Sequence, residues 1–286
     1  MKFTNVQEYL NTGTGTAGTL LFPKNIYKTL IPEVDKALIP RTEAALYMGP
    51  ADIPGSSITV DFETPNKMKV RKTAEGGSIW LADDEWQSVT FTPVKYSLGL
   101  RITSEFEEDN KFPGLVTRII GKAGKRFAEN ETSLILTALQ SASNSISGGS
   151  AITIPNITRM MQYLEDSDYE ATSFLHGNEI LYDLRNIDTF VDFQKVGNTE
   201  MLTRGYLGNI YGMNCMKFST NAAPSSTYSK YAYAFDKSEA YGIAEKRLIT
   251  VKSFDLDSHD MKAVAITQRL DIQLLRDSAI ARVTTS

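Results

Sequence analysis

The sequence predicts an α+β protein, on three observations. Residues 111–142 read as one long amphipathic helix. Residues 58–103 alternate apolar and polar side chains, the pattern of a long β-hairpin. Residues 210–283 read as a run of strands. A chain of 286 residues holds one large or two modest domains. Its 42% apolar and 22% charged content is ordinary for a globular protein.

Composition excludes several function classes. The net charge of −4 gives no global case for nucleic-acid binding, so any such surface is local. Cys215 is single, which rules out an internal disulfide framework and a cysteine-rich metal site. His176 and His259 are too few for most zinc sites. No apolar run reaches the length of a membrane span, and the first residues lack a signal-peptide core. These features describe a soluble intracellular protein.

Taken in order, residues 1–22 are polar and glycine-rich. Gly13, Gly15 and Gly18 match G-x-G-x-x-G literally, but no buried strand precedes them, and Pro23 and Pro32 interrupt any helix after them. A flexible arm fits better than a phosphate site. From Pro23 to Met48 the pattern is helical, in pieces broken by Pro32 and Pro40, with Ala45 and Leu46 available to the core. Ile58, Val60 and Phe62 then mark a half-buried strand. The chain turns polar through Lys67, Lys69, Arg71 and Lys72, and returns through Val89 and Phe91. Pro93 shifts the alternation by one, which predicts a bulge or bend before Val94, Tyr96, Leu98, Leu100 and Ile102.

A two-stranded hairpin is marginal in water alone and wants a partner surface. Trp80 and Trp86, the only tryptophans, lie on its distal half. Tryptophan is enriched among interface anchors, so the pair points to partner contact, against the alternative that both fold back on their own core. The runs Asp83-Asp84-Glu85 and Glu107-Glu108-Asp109 read as solvated loops.

Pro113 suits a first helical position. Leu115, Val116, Ile119, Ile120, Ala123, Phe127, Leu134, Ile135, Ala138 and Leu139 form one stripe, opposed by Arg118, Lys122, Lys125, Arg126, Glu129 and Asn130. The helix would be roughly 40 Å long. Gly148-Gly149 marks a boundary. Ile154, Ile157, Met160, Met161 and Leu164 make a short helix starting near Pro155. Residues 171–175 read as a buried strand, and a helix comes next through Ile180, Leu181, Leu184 and Ile187. Residues 188–208 are irregular. Strands are predicted around 210–218, 231–235, 240–244, 248–254, 263–275 and 279–283.

The order of these pieces resembles a known family. An arm, then Gly18-Thr-Leu-Leu-Phe-Pro23, then a long hairpin feeding a long helix is similar to the major capsid proteins of tailed phages, of the Hong Kong 97 type. Ala232-Tyr-Ala-Phe-Asp236, Ala240-Tyr-Gly-Ile-Ala244, Leu248-Ile-Thr-Val-Lys-Ser-Phe-Asp255 and Gln268-Arg-Leu-Asp-Ile272 resemble that family's successive strands. Asp277-Ser-Ala-Ile-Ala281 resembles the entry to its last strand. The order carries the likeness, since each piece alone is degenerate.

The resemblance implies a division of the chain: an N-terminal arm at 1–22, a peripheral domain from 23–57 and 101–150, and an extended loop at 58–100. An axial domain would take 151–249, with a return to the peripheral domain at 250–286. It implies an icosahedral shell of hexamers and pentamers enclosing double-stranded DNA, without catalysis, cofactor or membrane. Lys69, Arg71, Lys72, Trp80, Asp83, Asp84, Glu85 and Trp86 on the loop would touch a neighbouring subunit. So few residues before the arm's end imply that scaffolding comes from a separate protein; a portal and a cement protein are further partners. An encapsulin-type nanocompartment shell is the alternative within the same fold. The family's covalent lysine-to-asparagine cross-link lacks its acceptor here, because no asparagine comes after Asn221.

Other chemistries fit poorly. A triad would have to use His176 or His259, and no G-x-S-x-G elbow occurs. Asp255, Asp257 and Asp260 fail the spacing of a calcium loop and read as an acidic turn.

Overall fold

The computed structural model describes residues 40–63, 70–79, 81, 86–103, 105, 115–187, 208–256 and 261–285. The arm at 1–22, the helical pieces to residue 39, and the segments 188–207 and 257–260 lie outside the described residues.

The chain enters through a 3₁₀ turn, Pro40–Glu43, and strand β1, Leu46–Met48. This corrects the helical reading of residues 40–48. The three residues of β1 instead add in parallel to the edge of a later strand, Leu46 opposite Gly242. Ala45 and Leu46 do pack on a core cluster. Strands β2, Ile58–Glu63, and β3, Trp86–Phe91, pair antiparallel as a two-stranded hairpin, Ile58 opposite Phe91 and Glu63 opposite Trp86. At Thr92-Pro93 the chain leaves that hairpin, and β4, Val94–Thr103, joins another sheet. The phase slip at Pro93 is therefore a change of sheet.

Helix α1 runs Leu115–Gln140, 26 residues. Its stripe is buried at Ala123, Phe127, Ile135 and Leu139. Leu136, Glu129 and Glu131 are buried too, so the inward surface is wider than one stripe, and Glu129 does not belong to a solvent face. Gly148-Gly149 ends a strand, β5, Ser145–Gly149. A side chain at Gly148 would sit 2.9 Å from Thr285 Cγ2, so the glycine permits close strand packing. Helix α2, Ile154–Glu165, buries Ile157, Met160 and Leu164 of the five apolar residues read in it, and leaves Ile154 and Met161 half-buried. Then come β6, Ser173–His176, and α3, Asn178–Asn186.

Strands β7, Asn209–Ile210, β8, Met213–Lys217, and β9, Tyr231–Phe235, come next. Strand β10, Tyr241–Leu256, is continuous where two strands were expected. Register shifts between Glu245 and Thr250 break its alternation, and so hide its continuity. Strands β11, Met261–Leu274, and β12, Ile280–Thr285, complete the chain.

Two larger sheets result, ordered β1-β10-β11-β4 and β5-β12-β9-β6-β8-β7. The six-stranded sheet is covered on both faces. Phe174, Ala232, Ala234 and Val283 meet α2 and α3, while Leu175, Tyr233 and Phe235 meet the C-terminal half of α1. Alternation of Ala with Tyr and Phe along β9 sorts small side chains to one face and aromatics to the other. The N-terminal half of α1, at Ala123 and Phe127, covers Ile249, Val264 and Ile266 of the four-stranded sheet.

Candidate functional site

The hairpin is the feature that folding alone does not explain. At its root Phe91 is fully buried, with Ile58, Val60, Phe62 and Val89 packed beside Met48, Ile53, Ala244 and Leu275. Burial then falls along β3, and Trp86 is 64% exposed. Beyond the paired residues Val70, Ile79 and Leu81 are 81% exposed or more. Tryptophan and three aliphatic side chains on one arm are costly to leave in water, and single exposed side chains are the norm on a monomer's surface.

The root is clamped by hydrogen bonds to the sheet beside it. Thr92 N–H donates to Asp271 Oδ2 at 2.7 Å, and Arg269 Nη2 donates to the Pro93 carbonyl at 3.0 Å. Lys246 Nζ donates to the Gly55 carbonyl on the other side. Gly242 lies under the root, where a Cβ would come within 3.0 Å of Phe91 Cζ. Thr59 and Thr90 join their hydroxyls across the pair at 2.9 Å. The arm thus has a fixed base, and Val70, Ile79, Leu81 and Trp86 beyond it are exposed.

Of the eight loop residues expected to touch a neighbour, Trp86 is described on β3, and Arg71 and Lys72 are described as exposed and irregular. Lys69, Trp80, Asp83, Asp84 and Glu85 lie outside the described residues.

Sequence reasoning missed a buried ionic cluster. Glu245 accepts hydrogen bonds from Tyr47 Oη at 2.6 Å and Gln268 Nε2 at 2.8 Å, and pairs with Arg41. Arg41 Nε lies 3.2 Å from Glu131 Oε1, and its guanidinium stands 5.1 Å from the Tyr47 ring centroid. Both carboxylates are 1% exposed. One guanidinium serves two buried carboxylates, and burial pushes Glu131 up to about 7. The available signal was a charged residue, Glu131, between apolar positions of α1. Together these residues join the entry segment, α1 and β10.

His176 is 2% exposed, and its Nδ1 lies 3.1 Å from the Gly177 carbonyl. Burial lowers its pKa to about 4, so the ring is neutral at pH 7. A neutral ring held by its neighbour's backbone is a core histidine. Burial pushes the Cys215 thiol up to about 12, which disfavours the reactive thiolate. Among the described residues no group of three His, Cys, Asp or Glu is placed to hold a metal, and no helix is long and apolar enough to cross a membrane.

Comparison with known proteins bears on this arrangement. No curated protein matches the chain. The capsid structure of the cyanophage P-SCSP1u matches with TM-score 0.67 at 14% identity, over 100% of this chain and 99% of that one. A structure from Mycobacterium phage Che8 matches with TM-score 0.65 at 16% identity, over 80% and 84%. A virus-like particle from Pyrococcus furiosus matches with TM-score 0.60 at 12% identity, over 91% and 98%. At these identities the likenesses concern fold. They agree with the α+β capsid fold that the order of elements predicts. The family model described as "Phage capsid protein" matches residues 86–283, from the tryptophan of the arm to the last strand. The chain belongs to the phage capsid protein family.

Proposed function

We propose that this capsid protein builds an icosahedral shell of hexamers and pentamers around double-stranded DNA, and that the hairpin is its principal reach to a neighbouring copy. The observation that carries the reading is the arm itself. It is anchored by a fully buried Phe91 and ends in exposed Trp86, Ile79 and Leu81. A side chain of that size left in water is stabilised when a neighbour covers it. Portal and cement contacts rest on the resemblance alone. A nanocompartment shell is the weaker reading, because the family matched is that of phage capsids. Negative-stain microscopy of the purified protein tests the proposal. Closed particles are the expected result; a monodisperse monomer at high concentration refutes it, and a protein cargo in place of DNA favours the nanocompartment.

The shell is held without covalent bonds. Described residues beyond Asn221 include no asparagine to accept a lysine, and Cys215 is single. Mature particles boiled in denaturing detergent run as one band near 31.7 kDa. A ladder of multimers surviving reductant would overturn this.

A further inference from the structure

The hairpin root covers one end of the second face of the four-stranded sheet, at Gly242, Ala244 and Asp271, and the remainder carries exposed side chains. One face packs on α1 through Ile249, Val264, Ile266 and their partly buried neighbours Leu98 and Leu100. On the other side the register places three cations in one cross-strand row, Arg247 opposite Arg269 and Arg269 opposite Lys95. At the ordinary strand spacing the row is about 10 Å wide. Further along, Lys252 stands opposite Ala265, and Arg101 opposite Ala263. Lys95, Arg101, Arg247 and Lys252 are exposed and Arg269 is half-buried. The ion pairs of the described residues use none of the five. Asp271, the nearest acid on β11, is engaged by the Thr92 N–H and by Gln273.

Like charges set directly opposite each other destabilise a sheet. Their presence in a chain of net charge −4 calls for an anionic partner. Two features favour a protein over nucleic acid. Leu248 and Phe254 on β10 are 47% and 48% exposed beside the cations, which gives an apolar centre with a charged surround. The rest of the face carries Thr250, Thr267, Ser97, Gly99 and Ala265, small side chains that let another backbone approach.

The chain itself supplies the complementary charge. Glu165, Asp166, Asp168 and Glu170 are clustered within six residues at the C-terminal end of α2, all four exposed. That end carries no basic residue in its last turn. Glu165 and Asp166, in the last turn and at the cap, oppose the helix dipole. Resting on the reading of the chain as a self-assembling shell protein, we infer that the cationic face of the four-stranded sheet docks a second copy through the acidic turn 165–170. A contact between two different patches is heterologous, and such contacts form rings where the rotation between copies closes.

Reciprocal charge reversal tests the contact. One variant carries Lys95→Glu, Arg247→Glu and Lys252→Glu, leaving Arg269 to hold the hairpin root. The other carries Glu165→Lys, Asp166→Lys and Glu170→Lys. Assembly is followed by sedimentation and microscopy, and each subunit's fold by its denaturation midpoint. Each variant alone is expected to cut assembled protein at least tenfold, and the combined variant to recover it within twofold of the parent. Neutral versions, with Gln for each residue, give the same order with smaller losses and cover the case where a reversal fails to fold. Undiminished assembly of the cationic-face variant would overturn the inference. So would loss that the acidic reversal does not rescue, or intact assembly with loss of DNA retention only. If the parent forms no closed particle, the shell reading fails, while reciprocal rescue of smaller oligomers would still uphold the docking.

Discussion

The six-stranded sheet and the hairpin are both β-structure, yet they draw stability from different places. In the sheet, Ser173 to His176 are all buried, as are Ala232 to Phe235, because helices cover both faces. Each apolar side chain there contributes to folding of the lone subunit. In the hairpin burial runs out within six residues, from Phe91 to Trp86. The arm therefore contributes little to its own subunit beyond the root. One chain holds a part that is finished on folding and an arm that, on the proposed reading, is finished on assembly.

The strongest break of this contrast is a cavity in the sheet. Phe235 is fully buried and meets the Tyr241 ring edge-on at 5.7 Å between centroids. Phe235→Ala is expected to cost the unassembled subunit about 3–5 kcal/mol, read by chemical denaturation. A loss below about 1 kcal/mol would show that the sheet is not the stabilising body.

A smaller effect comes from the ionic cluster beneath the four-stranded sheet. In the folded chain Glu131 titrates near 7, against 4.5 for an ordinary glutamate, because burial outweighs its attraction to Arg41. Between those values the folded state binds more protons than the unfolded chain. Its contribution to stability thus falls as pH rises from about 4.5 to 7, and is level above. The swing is on the order of 3 kcal/mol. Glu131→Gln is expected to remove that slope from the subunit's stability curve. An unchanged slope would place the titration elsewhere.

Much of this body was legible in the sequence, and the reason is periodicity. Helix α2 and its buried Ile157, Met160 and Leu164 come from three-and-four spacing. Strands β2 and β3 come from alternation that survives because one face is buried and the other is not. The elements that escaped reading depend on distant partners. Leu46–Met48 are extended only because β10 offers an edge, and no local pattern encodes that. Residues 241–256 read as two strands because shifts near Arg247 interrupt the alternation of one. Glu131 and Glu245 look like surface residues until Arg41, far away in sequence, is brought between them. Trp86 was read as a contact residue; in the structure it is 64% exposed on a two-stranded pair, and its contact with a neighbour is part of the proposal.

Trp86 gives the smallest effect on the subunit and the sharpest view of the contrast. It sits opposite Glu63 at the open end of the hairpin pair and is 64% exposed. Removing it deletes little buried surface, so Trp86→Ala should shift the unassembled subunit's stability by less than about 0.5 kcal/mol. In the shell the same ring would be an anchor, and truncating such an anchor costs about 2 kcal/mol or more at each contact. Repeated at every copy, that loss lowers the melting temperature or the yield of particles while the denaturation curve of the subunit stays in place. A subunit destabilised as strongly as by Phe235→Ala would mean the ring packs on its own chain. Particles with the parent's thermal stability would mean that no neighbour covers it. Only the split outcome, a normal subunit and a weakened shell, agrees with an arm whose energy is realised between copies.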